Sequence, residues 1–193
     1  MARARVVICE DEGLTTLRLR TSLANLGYEV VGEARDGEEA VAAAVRLQPD
    51  AILMDIRMPK LDGIAATEQI MQTQPTAIVM ITAYSERELV DAALHAGASG
   101  YLVKPVSEEQ IEPALAVALN RFAELRELRN EVSDLKEALE TRKVVERAKG
   151  VLMRHYKLAE DEAYRRLQKL SRDRRQTLKQ TAEQVLVAAE LLG

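Results

Sequence analysis

The chain has 193 residues, enough for one or two ordinary domains but not for a large multidomain enzyme. With 47% apolar and 30% charged residues it has apolar surface to bury, which argues against a disordered chain. One cysteine, Cys9, and two histidines, His95 and His155, exclude an internal disulfide and a multi-cysteine or His-rich metal site.

Aromatic residues make up 3% of the chain, with no Trp, so a base-stacking surface would have few residues to use. No apolar run approaches ~20 residues and the N-terminus lacks a signal-peptide core, so a cytoplasmic chain with no membrane partner is expected. The formal net charge of -4 is unevenly spread: residues 1–120 carry -8, residues 121–140 carry -2 and residues 141–193 carry +6. An acidic first part joined to a basic last part predicts two modules with different partners.

In chain order, Arg5-Val6-Val7-Ile8-Cys9 reads as a strand ending in the acidic cluster Glu10-Asp11-Glu12. A helical pattern of Leu14, Leu17, Leu19, Leu23 and Leu26 follows, stopped by Gly27. Glu29 to Gly32 reads as a second strand, and Asp36 or Gly37 can cap a helix carrying Ala40, Val41, Ala44 and Val45. Ala51 to Met54 forms a third strand ending at Asp55, Ile64 to Met71 a helix, and Ala77 to Ile81 a fourth strand ending at Thr82. A helix over Glu86 to His95 stops at Ala96-Gly97, and Tyr101 to Val103 is a fifth strand ending at Lys104-Pro105. Continuous apolar strands separated by helices predict a parallel sheet covered on both faces, a flavodoxin-like, doubly wound five-stranded α/β fold.

From Ser107 no further strand is predicted. Ser107 and Gln110 suit a capping box at the start of a helix, with Pro113 placed to kink or shift that start. Leu125, Leu128, Val132, Leu135 and Leu139 recur at spacings of 3 and 4, an a/d seam of about two heptads that predicts a coiled coil and a homodimer. A single helix laying that seam on its own chain is the alternative. Three helical segments are expected over 141–155, 160–172 and 177–192, with Thr177 capping the third. Their shared small core would draw on Val145, Ala148, Leu152, Tyr156, Ala163, Leu167 and Ala182, among others. The expected layout is a domain over 1–120, a helical linker over 121–140 and a small all-α domain over 141–193.

Open parallel sheets bind ligands at the carboxyl ends of their strands. In a 2-1-3-4-5 sheet, Glu10 and Asp11 after strand one converge with Asp55 after strand three. Three carboxylates in one pocket repel each other and invite a divalent cation, and all-oxygen ligation suits Mg²⁺. Lys104 supplies a mobile positive charge and Thr82 a hydroxyl donor. The chemistry this set suits is phosphoryl transfer to a carboxylate. A magnesium-dependent hydrolase would use similar groups, but would also need a substrate pocket that the sequence does not display.

The segments Glu10-Asp11-Glu12, Met54-Asp55-Ile56-Arg57-Met58-Pro59, Asp62-Gly63, Ile81-Thr82-Ala83 and Tyr101-Leu102-Val103-Lys104-Pro105 resemble the receiver domain of two-component response regulators. The resemblance implies Asp55 as phosphoacceptor, phosphorylated by a sensor histidine kinase. It implies Mg²⁺ held by Asp11, Asp55, the backbone carbonyl of Arg57 and, mostly through water, Glu10. It further implies Lys104 paired with the phosphoryl oxygens, Thr82 and Tyr101 as the moving switch residues, and a cis Lys104-Pro105 peptide. The family often has two aspartates at the first position, and Glu10 is a mild departure.

The basic tail suits a phosphate backbone. Glu140 to Met153, with Ala148-Lys149-Gly150 at its centre, together with Ala163-Tyr164, Leu167 and Leu170 to Arg175, resembles the ANTAR output domain. In layout the whole chain is similar to actinobacterial phosphorylation-dependent antitermination regulators. The resemblance implies binding of RNA stem-loops in nascent transcripts, with RNA polymerase affected indirectly, through Arg142, Lys149, Arg172, Arg174 and Arg175. Ala148, Gly150 and Ala163 are expected in close helix packing, and Tyr164 either stacks on a base or belongs to the core. A DNA-binding regulator and a dimerisation or protein-interaction module are the alternative outputs.

Overall fold

A computed structural model describes residues 3–83 and 87–192. Glu86, the expected start of the fourth helix, and residues 1, 2 and 193 at the outer bounds of the expected domains lie outside the described residues. The chain divides into two compact units, the first ending at Arg126 and the second beginning at Glu127.

The first unit is built on a parallel sheet of β1 (Arg5–Cys9), β2 (Glu29–Ala34), β3 (Ala51–Asp55), β4 (Ala77–Thr82) and β5 (Gly100–Val103), in the order β2-β1-β3-β4-β5. The central strands are apolar throughout because both faces are covered. Val7, Cys9, Ile52, Met54, Ile78 and Met80 face α2 (Gly37–Leu47), α3 (Gly63–Thr73) and α4 (Arg87–His95). The alternate residues Val6, Ile8, Leu53, Val79 and Ile81 face α1 (Gly13–Asn25) and the start of α5 (Glu108–Tyr156), where Leu19, Leu23, Ile111 and Leu115 are buried. Burial of each large side chain stabilises the sheet by roughly 1.5–3 kcal/mol. Burial also pushes the Cys9 thiol well above its ordinary pKa, which leaves it inert.

Several local expectations are met, and others need correction. Gly27, at φ 84, closes α1, with Tyr28 N–H donating to the Leu23 carbonyl at 2.9 Å. Leu14 and Leu17, counted in the apolar pattern of α1, are 59% and 57% exposed, whereas Leu19 and Leu23 carry the packing. Strand β2 runs to Ala34, two residues beyond the predicted Gly32. Its pairing with β1 shifts register between Val6 and Val7 of β1, and the polar Glu33 of this edge strand hides the continuation from an apolar count.

Pro113 neither shifts the start of α5 nor ends it. Its ring is exposed, as is Glu109, so the carbonyl that loses an N–H partner stands where water can solvate it. At the start of α5, Ser107 N–H donates to Gln110 Oε1 at 3.1 Å, the reciprocal half of the expected capping box.

Asp36 caps α2, accepting from Glu39 N–H at 2.8 Å, and its other oxygen lies 2.6 Å from Lys60 Nζ. The Lys60 ammonium, and then the Glu39 amide, hold the Asp36 carboxyl below its ordinary value; Asp36 in turn raises Lys60. The depressed carboxyl therefore contributes stability that is complete above about pH 4 and is lost as pH falls through its folded-state pKa. The raised lysine contributes below about pH 10 and loses that as pH rises. We expect Asp36→Asn to flatten the acid limb of the melting-temperature profile while leaving it parallel to wild type between about pH 5 and 9; an unchanged acid limb would remove this pair from the acid response.

The second unit contains the remainder of α5 with α6 (Glu160–Arg174) and α7 (Leu178–Leu192). The expected separate helix over 141–155 is the end of α5, which runs on through Thr141 without a break. Thr177 does cap α7: its Oγ1 accepts from Gln180 N–H at 3.2 Å and Gln180 Oε1 accepts from Thr177 N–H at 3.0 Å. Val145, Ala148, Leu152, Ala163, Leu167 and Ala182 form the core. Tyr156, expected in that core, is 47% exposed, with the Arg166 guanidinium 4.1 Å from its ring centroid. Among the described residues no helix is long and apolar enough to cross a membrane.

Candidate functional site

The crossover connections place the ends of β1 and β3 side by side. Glu10 follows β1 directly and is tied to β2 by its N–H, which donates to the Ala34 carbonyl at 2.9 Å. Asp55 is the last residue of β3, and Lys104 follows β5. The loops are held by backbone bonds from Ile56 N–H to the Ile81 carbonyl at 3.2 Å and from Lys104 N–H to the Thr82 carbonyl at 2.7 Å. The Lys104-Pro105 peptide is cis, as the resemblance implied.

Gly63, at the start of α3, is pressed against this frame. A Cβ there would sit 2.0 Å from the Asp55 carbonyl oxygen. Sequence reasoning noted Asp62-Gly63 as part of a resemblance but gave Gly63 no role, because only the folded chain brings the helix start onto the strand end.

Lys104 Nζ lies 2.7 Å from Asp55 Oδ2 and 2.7 Å from Glu10 Oε2. Glu10 and Asp55 are buried and Asp11 is exposed, and ligand oxygens of all three lie within 4.8 Å of one another. Arg57 N–H donates to Asp55 Oδ1 at 3.3 Å, which seats the peptide after Ile56 on the same carboxylate. Thr82 is buried at the end of β4, one residue beyond the Asp55 partner Ile81, and Tyr101 is 46% exposed. The structure thus brings Glu10, Asp11, Asp55 and Lys104 into one cluster, with Arg57 and Thr82 at its edge.

Burial above all, with a smaller contribution from the Asp55 charge, pushes the Glu10 carboxyl up, against the pull of Lys104. Burial opposes the charged form of Lys104, but the two carboxylates outweigh it and hold the ammonium above its ordinary value. One ammonium, paired with Glu10 and Asp55, serves a cluster of three carboxyl groups, and Glu10 Oε2, though close to Lys104, accepts no aligned hydrogen bond. Three clustered carboxyl groups sharing one ammonium are an all-oxygen donor set that fits a hard divalent cation such as Mg²⁺.

In the second unit, Arg142, Arg172, Arg174 and Arg175 are exposed. The last three sit together at the C-terminal end of α6, where Arg174 Nη1 donates to Gln184 Oε1 at 2.8 Å and Arg175 takes the left-handed cap at φ 53. Lys149 differs from the other expected RNA contacts. Its side chain is 9% exposed and its Nζ lies 2.7 Å from Glu160 Oε1 and 2.9 Å from Glu146 Oε1. Those hydrogen-bonded glutamates raise its pKa. This pairing makes Lys149 an internal cross-link between α5 and α6 rather than a free cation. The Lys149–Glu146 spacing of i,i+3 was visible in the sequence, but the Glu160 contact required the turn between helices. Tyr164 is 38% exposed, with Lys149 Nζ 5.9 Å from its ring centroid.

Comparison with known proteins agrees with this geometry. The response regulator receiver domain family matches residues 6–116, and the ANTAR domain family matches residues 133–186. The transcriptional regulatory protein PdtaR of Mycobacterium tuberculosis (strain ATCC 25618 / H37Rv) is 47% identical over 189 residues, covering 98% of this chain and 91% of the relative. The chain belongs to the response regulators that carry an ANTAR domain.

Its receiver unit is also similar to the signal receiver domain of the putative response regulator NarL from M. tuberculosis, with a TM-score of 0.60 and 31% identity over 62% of this chain and 98% of that one. A receiver domain of a sensor histidine kinase from Pseudomonas aeruginosa PAO1, solved with a magnesium ion coordinated in its active-site cleft, matches with a TM-score of 0.57 and 32% identity, covering 62% of this chain and 99% of that one. As a response regulator the chain is a signalling protein, and its acidic cluster is Glu10, Asp11 and Asp55.

Proposed function

We propose that the chain is a phosphorylation-gated RNA-binding antiterminator, with Asp55 as the phosphoacceptor. The observation that supports this best is the Asp55 carboxylate held 2.7 Å from the Lys104 ammonium inside a three-carboxylate cluster. An Asp55 oxygen attacks the phosphorus of a phosphohistidine on a sensor kinase or of a small acyl phosphate. The new O–P bond forms as the donor's bond to phosphorus breaks and its electron pair leaves with the donor. Lys104, already raised and therefore charged, offsets the added charge of about -1.5 to -2.

Glu10, Asp11, Asp55 and the Arg57 carbonyl would hold Mg²⁺, which supplies further neutralisation of the transferring phosphoryl group. Any chemistry is confined to gain and loss of this acyl phosphate. Thr82 follows the new oxygens, and Tyr101 leaves its half-exposed position with it. The setting is the cytoplasm, where kinase domains and nascent transcripts meet and RNA polymerase is affected indirectly.

The output is assigned to RNA stem-loops through the exposed Arg142, Arg172, Arg174 and Arg175, with Lys149 positioning α6 instead of touching RNA. Loop bases in a hairpin are accessible to side chains in a way that paired bases are not. The domain layout proposed is a receiver over 1–120, a helical linker over 121–140 and the ANTAR domain over 141–193.

Dimerisation accompanies this function. Leu125, Leu128, Val132, Leu135 and Leu139 on α5 are 49–66% exposed. With Leu125, Val132 and Leu139 at a positions, the g positions are Glu124 and Glu131 and the e positions are Arg129 and Lys136. A parallel pair sets Glu124 against Arg129 and Glu131 against Lys136 of a second copy, whereas an antiparallel pair sets like charges together. We expect Lys136→Glu to weaken the dimer about tenfold and Glu131→Lys with Lys136→Glu to restore it, read by sedimentation at low salt. A double variant no tighter than the single one argues against the parallel register.

The deciding experiment measures retention of hairpin RNA and duplex DNA by the full chain, with and without beryllofluoride as an acyl-phosphate mimic. Hairpin retention that rises with the mimic supports the proposal. Preference for duplex DNA, or no nucleic-acid binding in either state, overturns it.

A further inference from the structure

We propose that Gly150 marks where the sugar-phosphate backbone of the bound RNA passes directly over α5, in a shallow anion groove flanked by Lys143, Arg147 and Arg154; this rests on the RNA-binding function proposed above. Glycine is among the least favourable residues for a helix interior, so one in the middle of α5 calls for a reason. At Gly37 and Gly63 the reason is steric. A Cβ at Gly37 would lie 2.3 Å from the Leu61 carbonyl oxygen, and one at Gly63 would lie 2.0 Å from that of Asp55. At Gly150 the added Cβ would meet only Arg154 Nη1, at 3.7 Å, an ordinary contact. Its φ is not positive either, so neither packing nor backbone conformation within the described residues requires a glycine there. The expectation that Gly150 serves close helix packing is therefore not met inside this chain.

The neighbours of Gly150 indicate what does approach. At about 100° per residue, Lys143, Arg147, Gly150 and Arg154 fall within an arc of about 60°, on the far side of α5 from Val145, Ala148 and Leu152. All three cations are exposed. Lys143 lies 2.8 Å from Glu140, while among the described residues neither Arg147 nor Arg154 has an ion-pair or hydrogen-bond partner. Among the described residues, the side chain within 4 Å of a Cβ at Gly150 is thus a guanidinium. The stripe runs for about 16 Å along the helix, long enough for several consecutive phosphates.

Three exposed cations on one face of a helix suit a polyanion. A polyanion gains from each of them, and a strand backbone seated on a helix needs the missing side chain. None of these three cations belongs to the set Arg142, Lys149, Arg172, Arg174 and Arg175 expected from the sequence. The surface contributes affinity without sequence discrimination.

The test compares wild type, Gly150→Ala and Gly150→Leu as full chains, measuring melting temperature, solution mass and hairpin-RNA affinity with beryllofluoride present. Because the site is open, Ala raises the melting temperature by a few degrees, as expected for removal of a helix glycine. Hairpin affinity falls about tenfold with Ala and further with Leu, at unchanged mass. Arg147→Gln and Arg154→Gln each lower the slope of log affinity against log salt by about 1. If Ala stabilises the protein and affinity stays at the wild-type level, the assignment is overturned while the RNA function stands. A drop in melting temperature or a change in mass with Ala overturns it in favour of helix packing. A wild-type chain that retains no hairpin overturns both the function and this surface.

Discussion

Asp55→Asn is expected to abolish phosphoryl uptake from acetyl phosphate in the presence of Mg²⁺ while leaving the fold intact. The substitution keeps the shape of the side chain and replaces the nucleophilic carboxylate with an amide, which cannot form the acyl phosphate. Lys104 keeps its other partner, Glu10, at 2.7 Å, so its ammonium is not stranded. Removing the Asp55 charge also relieves part of what pushes the Glu10 carboxyl up. The melting temperature therefore stays level or rises, and the loss is one of chemistry alone. Intact mass after incubation with acetyl phosphate reads the effect directly: wild type gains one phosphoryl group and the variant none. In the same samples, hairpin retention by the variant stays at its unphosphorylated level. Uptake by the variant equal to wild type would remove Asp55 as the acceptor and require another nucleophile in the cluster.

Gly63→Ala should produce the largest stability loss of any single-methyl change in the receiver unit. Its Cβ would stand 2.0 Å from the Asp55 carbonyl oxygen, 3.0 Å from the Asp55 carbonyl carbon and 3.1 Å from Ile56 Cα. All three are backbone atoms, so no side-chain rotation relieves the overlap. The start of α3 must move instead, and it is pinned by Asp62 accepting from Ala65 N–H at 2.8 Å and by Gly63 N–H donating to the Ile56 carbonyl at 2.9 Å. A loss of about 3 kcal/mol in urea unfolding is expected, with reduced phosphoryl uptake because Asp55 shifts with its carbonyl. Gly13→Ala is the control: nothing lies within 4 Å of its Cβ, so the same change there should be neutral or stabilising. Equal effects at the two positions would mean that the close approach at Gly63 is relaxed at no cost.

Much of the receiver unit could be read from the sequence because its strands are buried on both faces. Ile52, Leu53, Ile78 and Val79 form unbroken apolar runs, and chemistry-bearing residues stand where those runs stop. The edge strand β2 was read short because its polar residues carry no such contrast. In the second unit the apolar spacing of Ala148, Leu152, Ala163, Leu167 and Ala182 placed the core. Tyr156 was misassigned to it because helical spacing allows an aromatic ring to lie at the margin, where Arg166 covers it.

Local order was thus determined by the sequence itself: where strands run, where Asp36 and Thr177 begin helices, and which acids follow which strands. Those features follow from neighbours within a few residues and from the contrast between apolar and polar side chains. Tertiary structure alone decided that Lys104 reaches both Glu10 and Asp55, that Gly63 bears on the Asp55 carbonyl, that Lys149 is locked between Glu146 and Glu160, and that among the described residues a Cβ at Gly150 would meet only Arg154 within 4 Å. Periodicity tells which face of an element is apolar, whereas the partner of a charge and the space above a glycine depend on which distant segments the fold brings there.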